Sequence, residues 1–91
     1  MAWGTIELEE EVEQRLLSLS DDHFGQAERY IDLLAEEGVR LDEPFTRQLR
    51  GKLRELRFHL GRLQMRTTYY VATERRIVLL TCSQRPAGES T

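Results

Sequence analysis

The first part of the chain has a helical hydrophobic pattern. Two stripes of apolar residues recur every three or four positions, which places each stripe on one face of an amphipathic helix. The first stripe consists of Val12, Leu16 and Leu19, and the second of Phe24, Ala27, Ile31 and Leu34. Ser20 is well placed to cap the second helix, and Gly38 is well placed to end it. The pattern predicts an antiparallel pair of helices that packs one face against a sheet.

From Lys52 onward the period changes to two residues, as in a β-strand with one buried side. In residues 53–60, one side carries Leu56, Phe58 and Leu60, and the other side carries Glu55, Arg57 and His59. In residues 63–72, one side carries Met65, Thr67, Tyr69 and Val71, and the other carries Arg66, Thr68 and Tyr70. Gly61-Arg62 is interpreted as a hairpin turn, and residues 73–75 as a turn into a last strand at 76–81.

These elements predict an α+β fold. The segment Trp3–Leu8 is rich in β-favouring residues and predicts a short first strand, whereas residues 39–51 are interpreted as a connector. The order is therefore β-α-α-β-β-β, with the helix pair packed on a three- to four-stranded, largely antiparallel sheet. We expect a single domain over residues 1–82 and a polar, disordered tail over residues 83–91.

Charge is divided unequally between the two halves of the chain. Residues 1–43 contain thirteen acidic and three basic residues, a formal charge of −10. Residues 44–91 contain ten basic and three acidic residues, a formal charge of +7, and nine of those ten bases are arginines. Arginine binds phosphate with two parallel N–H donors, so this distribution favours a polyanionic partner such as a nucleic acid.

The composition also excludes several classes of function. A single cysteine, Cys82, excludes an internal disulfide and any zinc site built from cysteines. The most apolar run, Ile77–Leu80, has the length of a strand, and the N-terminus lacks the features of a signal peptide. We therefore expect a cytoplasmic protein with no membrane partner. No glycine-rich phosphate loop, Ser-His-Asp set or metal-ligand spacing is present, so no cofactor or metal is expected.

Three segments carry a resemblance to a known group of toxins. They are QLRGKLRELRF at residues 48–58, QMRTTYY at 64–70 and RIVLLT at 76–81. Over roughly residues 3–82 the chain resembles the RelE/ParE superfamily, and it is most similar to the HigB-type, phage-derived branch. The resemblance implies a β-sheet cradle that engages mRNA in the ribosomal decoding site and cleaves it. It also implies a cognate antitoxin that wraps the toxin, expected in this branch to be a small helix-turn-helix protein.

Cleavage of RNA by its own 2′-hydroxyl requires proton acceptance, stabilisation of charge on the phosphorane, and protonation of the leaving 5′-oxygen. Arg57 and Arg66 lie on the outward sides of adjacent predicted strands and are the expected catalytic pair, without any metal. His59 shares the side of Arg57 and is the third catalytic candidate, because histidine is suited to proton transfer near neutral pH. Glu55 is interpreted as a partner that orients a neighbouring arginine, and its alternative role is that of the general base. The opposing interpretation is a set of surface arginines that serves solubility.

Five further residues are candidate RNA contacts: Lys52, Arg54, Tyr70, Arg76 and Arg85. Tyr70 shares the side of Arg66 and is placed to stack on a base. Strict alternation puts Lys52 and Arg54 on the core side, so they reach RNA only if the strand begins after them or twists.

The C-terminal end leaves other functions open. Toxins of the resembled branch continue after the last strand with an aromatic residue, a lysine-rich stretch and a helix, whereas here Arg85 is the only base. A second hypothesis is therefore a catalytically impaired relative that acts as an antitoxin-bound co-repressor. A third is a ParE-like inhibitor of gyrase, which the shared fold alone supports. The leading prediction is a metal-independent endoribonuclease that inhibits translation.

Overall fold

The fold is described from a computed structural model, which covers residues 2–86. Its helices and strands are, in chain order, β1 (Thr5–Leu8), α1 (Glu10–Leu17), α2 (Asp21–Glu37), β2 (Thr46–Arg50), β3 (Leu53–Leu60), β4 (Leu63–Ala72) and β5 (Arg76–Pro86). Single 3₁₀ turns follow α2 at Gly38–Arg40 and β4 at Thr73–Arg75. The α+β class predicted from the sequence is confirmed.

The strands form one mixed sheet of five, in the order β1-β5-β4-β3-β2. β1 runs parallel to β5, and every other neighbouring pair is antiparallel. Two-residue turns join β2 to β3 and β3 to β4, and their glycines, Gly51 and Gly61, adopt φ of 56° and 59°. Because glycine reaches this region without a steric penalty, both tight turns form where the sequence supplies it. The hairpin predicted at Gly61-Arg62 is confirmed.

The helix boundaries follow from the capping residues. Ser20 Oγ accepts a hydrogen bond from the backbone N–H of His23 at 3.2 Å, which satisfies a donor of the first turn of α2. α2 ends at Gly38, whose φ is 55° and whose N–H donates to the carbonyl of Leu34. A Cβ at Gly38 would collide with the indole of Trp3, so glycine is required there by its backbone and by its neighbour.

Both helices pack on one face of the sheet, α1 against β5 and α2 against β3. The core between them contains Val12, Leu16, Ala27 and Leu34 of the helices, and Leu56, Phe58, Leu60, Met65, Tyr69, Ile77 and Leu79 of the sheet. The ring of Phe58 stacks on Tyr30 with 4.8 Å between centroids. Burial of each large apolar side chain stabilises the fold by about 1.5–3 kcal/mol. The buried sides predicted for β3 and β4 are therefore confirmed.

The connector predicted for residues 39–51 contains a strand, so the sheet has five strands where three to four were expected. β2 lies at the edge of the sheet and pairs only with the first part of β3. Its residues after the buried Thr46 are exposed, and four of its five side chains are polar. Strands of this kind show no alternation of apolar and polar residues, so the sequence pattern does not reveal them.

The last strand is longer than predicted, because β5 continues through Pro86 and pairs with β4 over its whole length. A β-bulge lies in β5 at Leu80, because Thr68 of β4 is opposed to Thr81 and the next residue, Tyr69, is opposed to Leu79. The bulge reverses the alternation of β5, so that Cys82 enters the core. Residues 83–86 therefore belong to the sheet and not to the predicted disordered tail. The remainder of that tail, residues 87–91, lies outside the described residues.

Candidate nucleic-acid interface

The sheet face opposite the helices, called the open face below, carries mainly polar and charged side chains. Directly opposed residues on neighbouring antiparallel strands share a face, so the register identifies its members. They are Arg47 of β2, Glu55, Arg57 and His59 of β3, Gln64, Arg66, Thr68, Tyr70 and Ala72 of β4, and Arg76, Val78, Thr81, Ser83 and Arg85 of β5. Both helices pack on the other face, so a polyanion can reach the open face without displacing a helix.

Arg57 and Arg66, called the arginine pair below, are direct cross-strand partners at the middle of the open face. The next residue across the sheet is Ser83 of β5, which is opposed to Arg66. Opposed residues on neighbouring strands place their Cβ atoms about 4.5–5.5 Å apart. Two guanidinium groups and a hydroxyl therefore lie in one row across three strands.

The arginine pair is incompletely satisfied within the protein. The Nε atoms of Arg57 and Arg66 are both buried, and neither has a hydrogen-bond partner in the part of the chain that the structure describes. Arg57 Nε lies 3.5 Å from Glu55 Oε1, which is close enough for an ion pair but does not meet the geometry of a hydrogen bond. A buried cationic donor without an acceptor is costly, and an anion that bonds to both groups would remove that cost.

Glu55 is the acidic member of the open face. Its side chain is only 12% exposed, whereas that of Arg57 is 31% exposed. Glu55 is opposed to Arg47 on one side and to Thr68 on the other. The Thr68 hydroxyl shares a hydrogen bond of 2.5 Å with that of Thr81. Glu55 therefore restrains Arg57 from within the sheet, as the sequence indicates, and leaves the outer surface of the guanidinium free.

A second row lies next to the arginine pair, toward the β3–β4 hairpin. His59 is opposed to Gln64, and Gln64 is opposed to Arg85. His59 and Arg85 are exposed, and Gln64 is half-buried. The extended β5 thus brings Arg85 onto the same face as His59 and the arginine pair. Gln64 and Ser83 belong to this surface, although neither is among the candidates named from the sequence.

Tyr70 lies farther along the open face, half-buried and opposed to Val78 of β5. Thr68 separates it from Arg66 along β4, so the two Cα atoms are roughly 13 Å apart at the usual rise of a strand. A stretch of single-stranded RNA two nucleotides long covers such a span. Tyr70 is therefore on the correct face for the predicted stacking role, but it is not in contact with the arginine pair.

Arg54 lies on the helix-facing side of β3, as strict alternation requires. Its guanidinium donates to Thr46 Oγ1 at 3.0 Å and to the hydroxyl of Tyr69 at 3.4 Å. Thr46 Oγ1 in turn donates to the backbone carbonyl of Leu41 at 2.6 Å. An additional ion pair joins Arg54 to Asp42 at 3.9 Å. These contacts connect the loop between α2 and β2 to the sheet, so Arg54 is separated from the open face.

Lys52 and Arg76 lie away from the arginine pair. Lys52 is exposed in the turn between β2 and β3. Arg76 begins β5 at the opposite end of the sheet from Arg85. Its guanidinium donates to Glu7 of β1 at 3.3 Å and to the carbonyl of Thr73 at 3.2 Å. The structure therefore groups Arg57, Arg66, His59 and Arg85 of the predicted candidates, and leaves the remainder outside that group.

Comparison with known proteins identifies the family. Residues 14–86, most of the chain, match the family described as phage-derived protein Gp49-like (DUF891). The chain belongs to this family. No curated protein matches it.

Two solved structures show that this Gp49-like chain has the fold of RelE. The archaeal RelE–RelB complex from Pyrococcus horikoshii OT3 contains a chain 21% identical to this one, with a TM-score of 0.65. That match covers 96% of this chain and 98% of the other. An arginine-to-alanine double mutant of the E. coli toxin RelE, solved in the free state, is 16% identical with a TM-score of 0.66. That match covers 98% and 86% of the two chains. The resemblance to RelE-type proteins drawn from the strand segments is therefore confirmed.

Three other features of the Gp49-like chain concern membranes, metal ions and its cysteine. Between residues 2 and 86, neither helix is long and apolar enough to cross a membrane. In the same part of the chain, no group of three or more His, Cys, Asp and Glu side chains is arranged to hold a metal ion. Burial raises the pKa of the Cys82 thiol, and a hydrogen bond from Thr67 at 3.6 Å acts in the opposite direction. Cys82 lies in the core and not on the open face.

Proposed function

We propose that this Gp49-like chain is the toxin of a type II toxin–antitoxin pair, of the HigB-like branch, and that it cleaves mRNA on the ribosome. The observation that carries the proposal is the arginine pair, whose buried Nε atoms have no acceptor among residues 2–86. A phosphodiester supplies oxygens of the right charge and geometry for two neighbouring guanidinium groups. Family membership and the RelE fold support the same function.

In the proposed reaction, the arginine pair holds the scissile phosphate and stabilises the charge that develops on it as the 2′-oxygen attacks. His59, exposed beside Arg57 on β3, is in position to transfer a proton to or from a reacting oxygen. The 2′-oxygen forms a new bond to phosphorus and the bond to the 5′-oxygen breaks, which leaves a 2′,3′-cyclic phosphate and a free 5′-hydroxyl. Arg85 extends the positive surface toward the adjacent phosphate, and Tyr70 offers a ring for a neighbouring base.

The proposed partners are the ribosome with its mRNA and a cognate antitoxin of the helix-turn-helix type. The RelE of P. horikoshii is described in complex with RelB, which supports an antitoxin for a chain of the same fold. Residues 44–91 carry a formal charge of +7, so an acidic surface on the antitoxin would make such a complex favourable. An antitoxin that covers the open face would neutralise the same arginines that bind RNA.

The decisive experiment adds the purified protein to a reconstituted translation system and maps the mRNA ends by primer extension. A parallel reaction without ribosomes is the control. New ends inside the translated codons, present only with ribosomes, are the expected result. Intact mRNA in the presence of folded protein would contradict the nuclease and favour the non-catalytic co-repressor.

A further inference from the structure

A pocket of about 240 Å³ opens beside Arg57. Its aromatic walls are formed by Tyr30, Phe45 and Phe58, and its polar lining by Arg57, His59 and Gln64. Tyr30 and Phe58 are stacked on each other and form a rigid apolar base to the pocket, whereas Phe45 is 37% exposed. The pocket therefore combines flat apolar surfaces with donors and acceptors at its rim.

The pocket exists because β2 covers only part of β3. The backbone N–H of Arg57 donates to the carbonyl of Phe45 at 2.8 Å. At this hydrogen bond, β3 and the segment that leads into β2 separate. Backbone groups alternate sides along a strand, so the N–H and C=O of His59 are directed to the same edge as those of Arg57. Within residues 2–86 no strand pairs with that edge beyond Arg57. The backbone N–H and C=O of His59 are thus available for hydrogen bonds at the pocket.

We propose that this pocket binds one nucleobase of single-stranded RNA, the base adjacent to the phosphate that the arginine pair holds. The inference rests on the proposed function and adds to it a site that selects among bases. Arg57 belongs both to the pocket and to the arginine pair, so a nucleotide bound at the pair has its base within reach of Phe45. Gln64 presents an amide with both donor and acceptor, which matches the hydrogen-bonding edge of a base.

The charge of the pocket favours RNA over an apolar side chain of a partner protein. An apolar occupant would cover Arg57, His59 and Gln64 without satisfying their polar groups, which is unfavourable. A nucleotide brings a phosphate for Arg57, a polar edge for Gln64 and a flat ring for Phe45. The pocket shares Arg57 with the row that contains Arg66, and His59 and Gln64 with the row that contains Arg85. One strand of RNA can therefore occupy the pocket and both rows.

The wall formed by Phe45 is held in place by the Arg54 network. Arg54 bonds to Thr46, the residue after Phe45, and Thr46 bonds back to the carbonyl of Leu41. Arg54 is therefore a positioning residue for the pocket, although its side chain lies on the other face of the sheet. This contact gives the predicted importance of Arg54 a different physical basis from direct RNA binding.

The test measures equilibrium binding of short single-stranded RNA by fluorescence anisotropy. The probes are four labelled 2′-O-methyl homohexamers, which cannot be cleaved, and a hexamer of the same backbone that lacks its bases. Wild type is compared with Phe45→Ala and Gln64→Ala. Leu17→Ala is the matched control, because Leu17 is an exposed apolar residue on α1, outside the pocket. Circular dichroism establishes that every variant is folded.

We expect wild type to bind its preferred hexamer about fivefold to a hundredfold more tightly than the base-free backbone, the range that stacking of one base provides. Phe45→Ala should lose most of this ratio of affinities, and Gln64→Ala should reduce the differences in affinity among the four homohexamers. Leu17→Ala should leave both unchanged. Arg66→Ala should weaken binding of all probes equally, since its contact is to phosphate.

Two results would overturn the inference. The first is a wild type that binds no probe or does not distinguish the hexamers from the base-free backbone. The second is a Phe45→Ala variant that keeps the full ratio of affinities. If that variant also no longer co-purifies with the antitoxin, the pocket is assigned to a protein side chain. Wild type could discriminate among bases through Phe45 and yet leave mRNA intact in the translation assay. That combination would support the pocket and refute only the nuclease.

Discussion

Arg57 and Arg66 are directly opposed on β3 and β4, and the Nε atom of each is buried without a hydrogen-bond partner between residues 2 and 86. Like charges in directly opposed positions destabilise a sheet, and unpaired buried donors add to that cost. The neighbouring Glu55 offsets the cost for Arg57 only, at 3.5 Å. An anion bound between the two guanidinium groups would remove both costs.

The first prediction concerns this arginine pair. Arg57→Ala and Arg66→Ala should each reduce mRNA cleavage by about a hundredfold or more, because each removes a donor that stabilises transition-state charge. The free energy of unfolding should not decrease, since each change also removes a like-charge repulsion. Single-turnover cleavage and urea denaturation measure the two effects. Arg62→Ala, in the exposed hairpin turn, is the matched control and should retain activity. Two variants that express normally and remain toxic would refute this site assignment.

The second prediction concerns Glu55, which orients Arg57. Glu55→Gln keeps the size of the side chain but removes its charge, so Arg57 is held less firmly and cleavage should fall by about tenfold to a hundredfold. Binding of RNA should become tighter, because a negative charge is lost from a positive surface. Parallel loss of cleavage, binding and stability would instead indicate a purely structural role.

The third prediction concerns Arg54, which connects β3 to the loop before β2. Arg54→Ala should lower the free energy of unfolding by about 1–3 kcal/mol, because the hydroxyls of Thr46 and Tyr69 each lose a charged partner. Lys52→Ala, in the exposed turn, should leave stability unchanged within about 0.5 kcal/mol. Thermal and urea unfolding of both variants measure the difference. An Arg54→Ala variant of full stability with weakened RNA binding would restore Arg54 as a direct contact.

The fourth prediction concerns Cys82. Because burial raises the pKa of its thiol, the thiolate is scarce in the folded protein, and alkylation by iodoacetamide should be slow until urea unfolds the chain. The same shift makes stability depend on pH. The pKa of the thiol is higher in the folded state than in the unfolded state. The contribution of the protonated thiol to the free energy of unfolding is therefore complete below the ordinary cysteine pKa of about 8.5, and it is lost as pH rises through the folded-state pKa.

The control for this pH dependence of stability is Cys82→Ala. In that variant, the loss of stability that deprotonation of the thiol causes at alkaline pH should be absent. Denaturant midpoints for both proteins between neutral and alkaline pH give the comparison. Rapid alkylation of the folded wild-type protein would show that Cys82 is accessible and would contradict the buried position.

The sequence determined the elements whose signals are local. Helical stripes at three- and four-residue spacing gave α1 and α2, and strict alternation gave the sides of β3 and β4, including the shared outward side of Arg57 and Arg66. These patterns are readable because each element buries one side against a common core, so its apolar positions repeat with its own period. The strand motifs also led to the RelE fold.

Only the tertiary structure decided the positions that depend on distant partners. β2 is an exposed edge strand without alternation, so its pairing with β3 appears only when the sheet is assembled. The bulge opposite Thr68 and Tyr69 changes the phase of β5 without any marker in the sequence, and it determines which face receives Ser83 and Arg85. The pocket beside Arg57 likewise arises where α2, the loop before β2 and the uncovered edge of β3 converge, segments far apart in the chain whose proximity depends on folding.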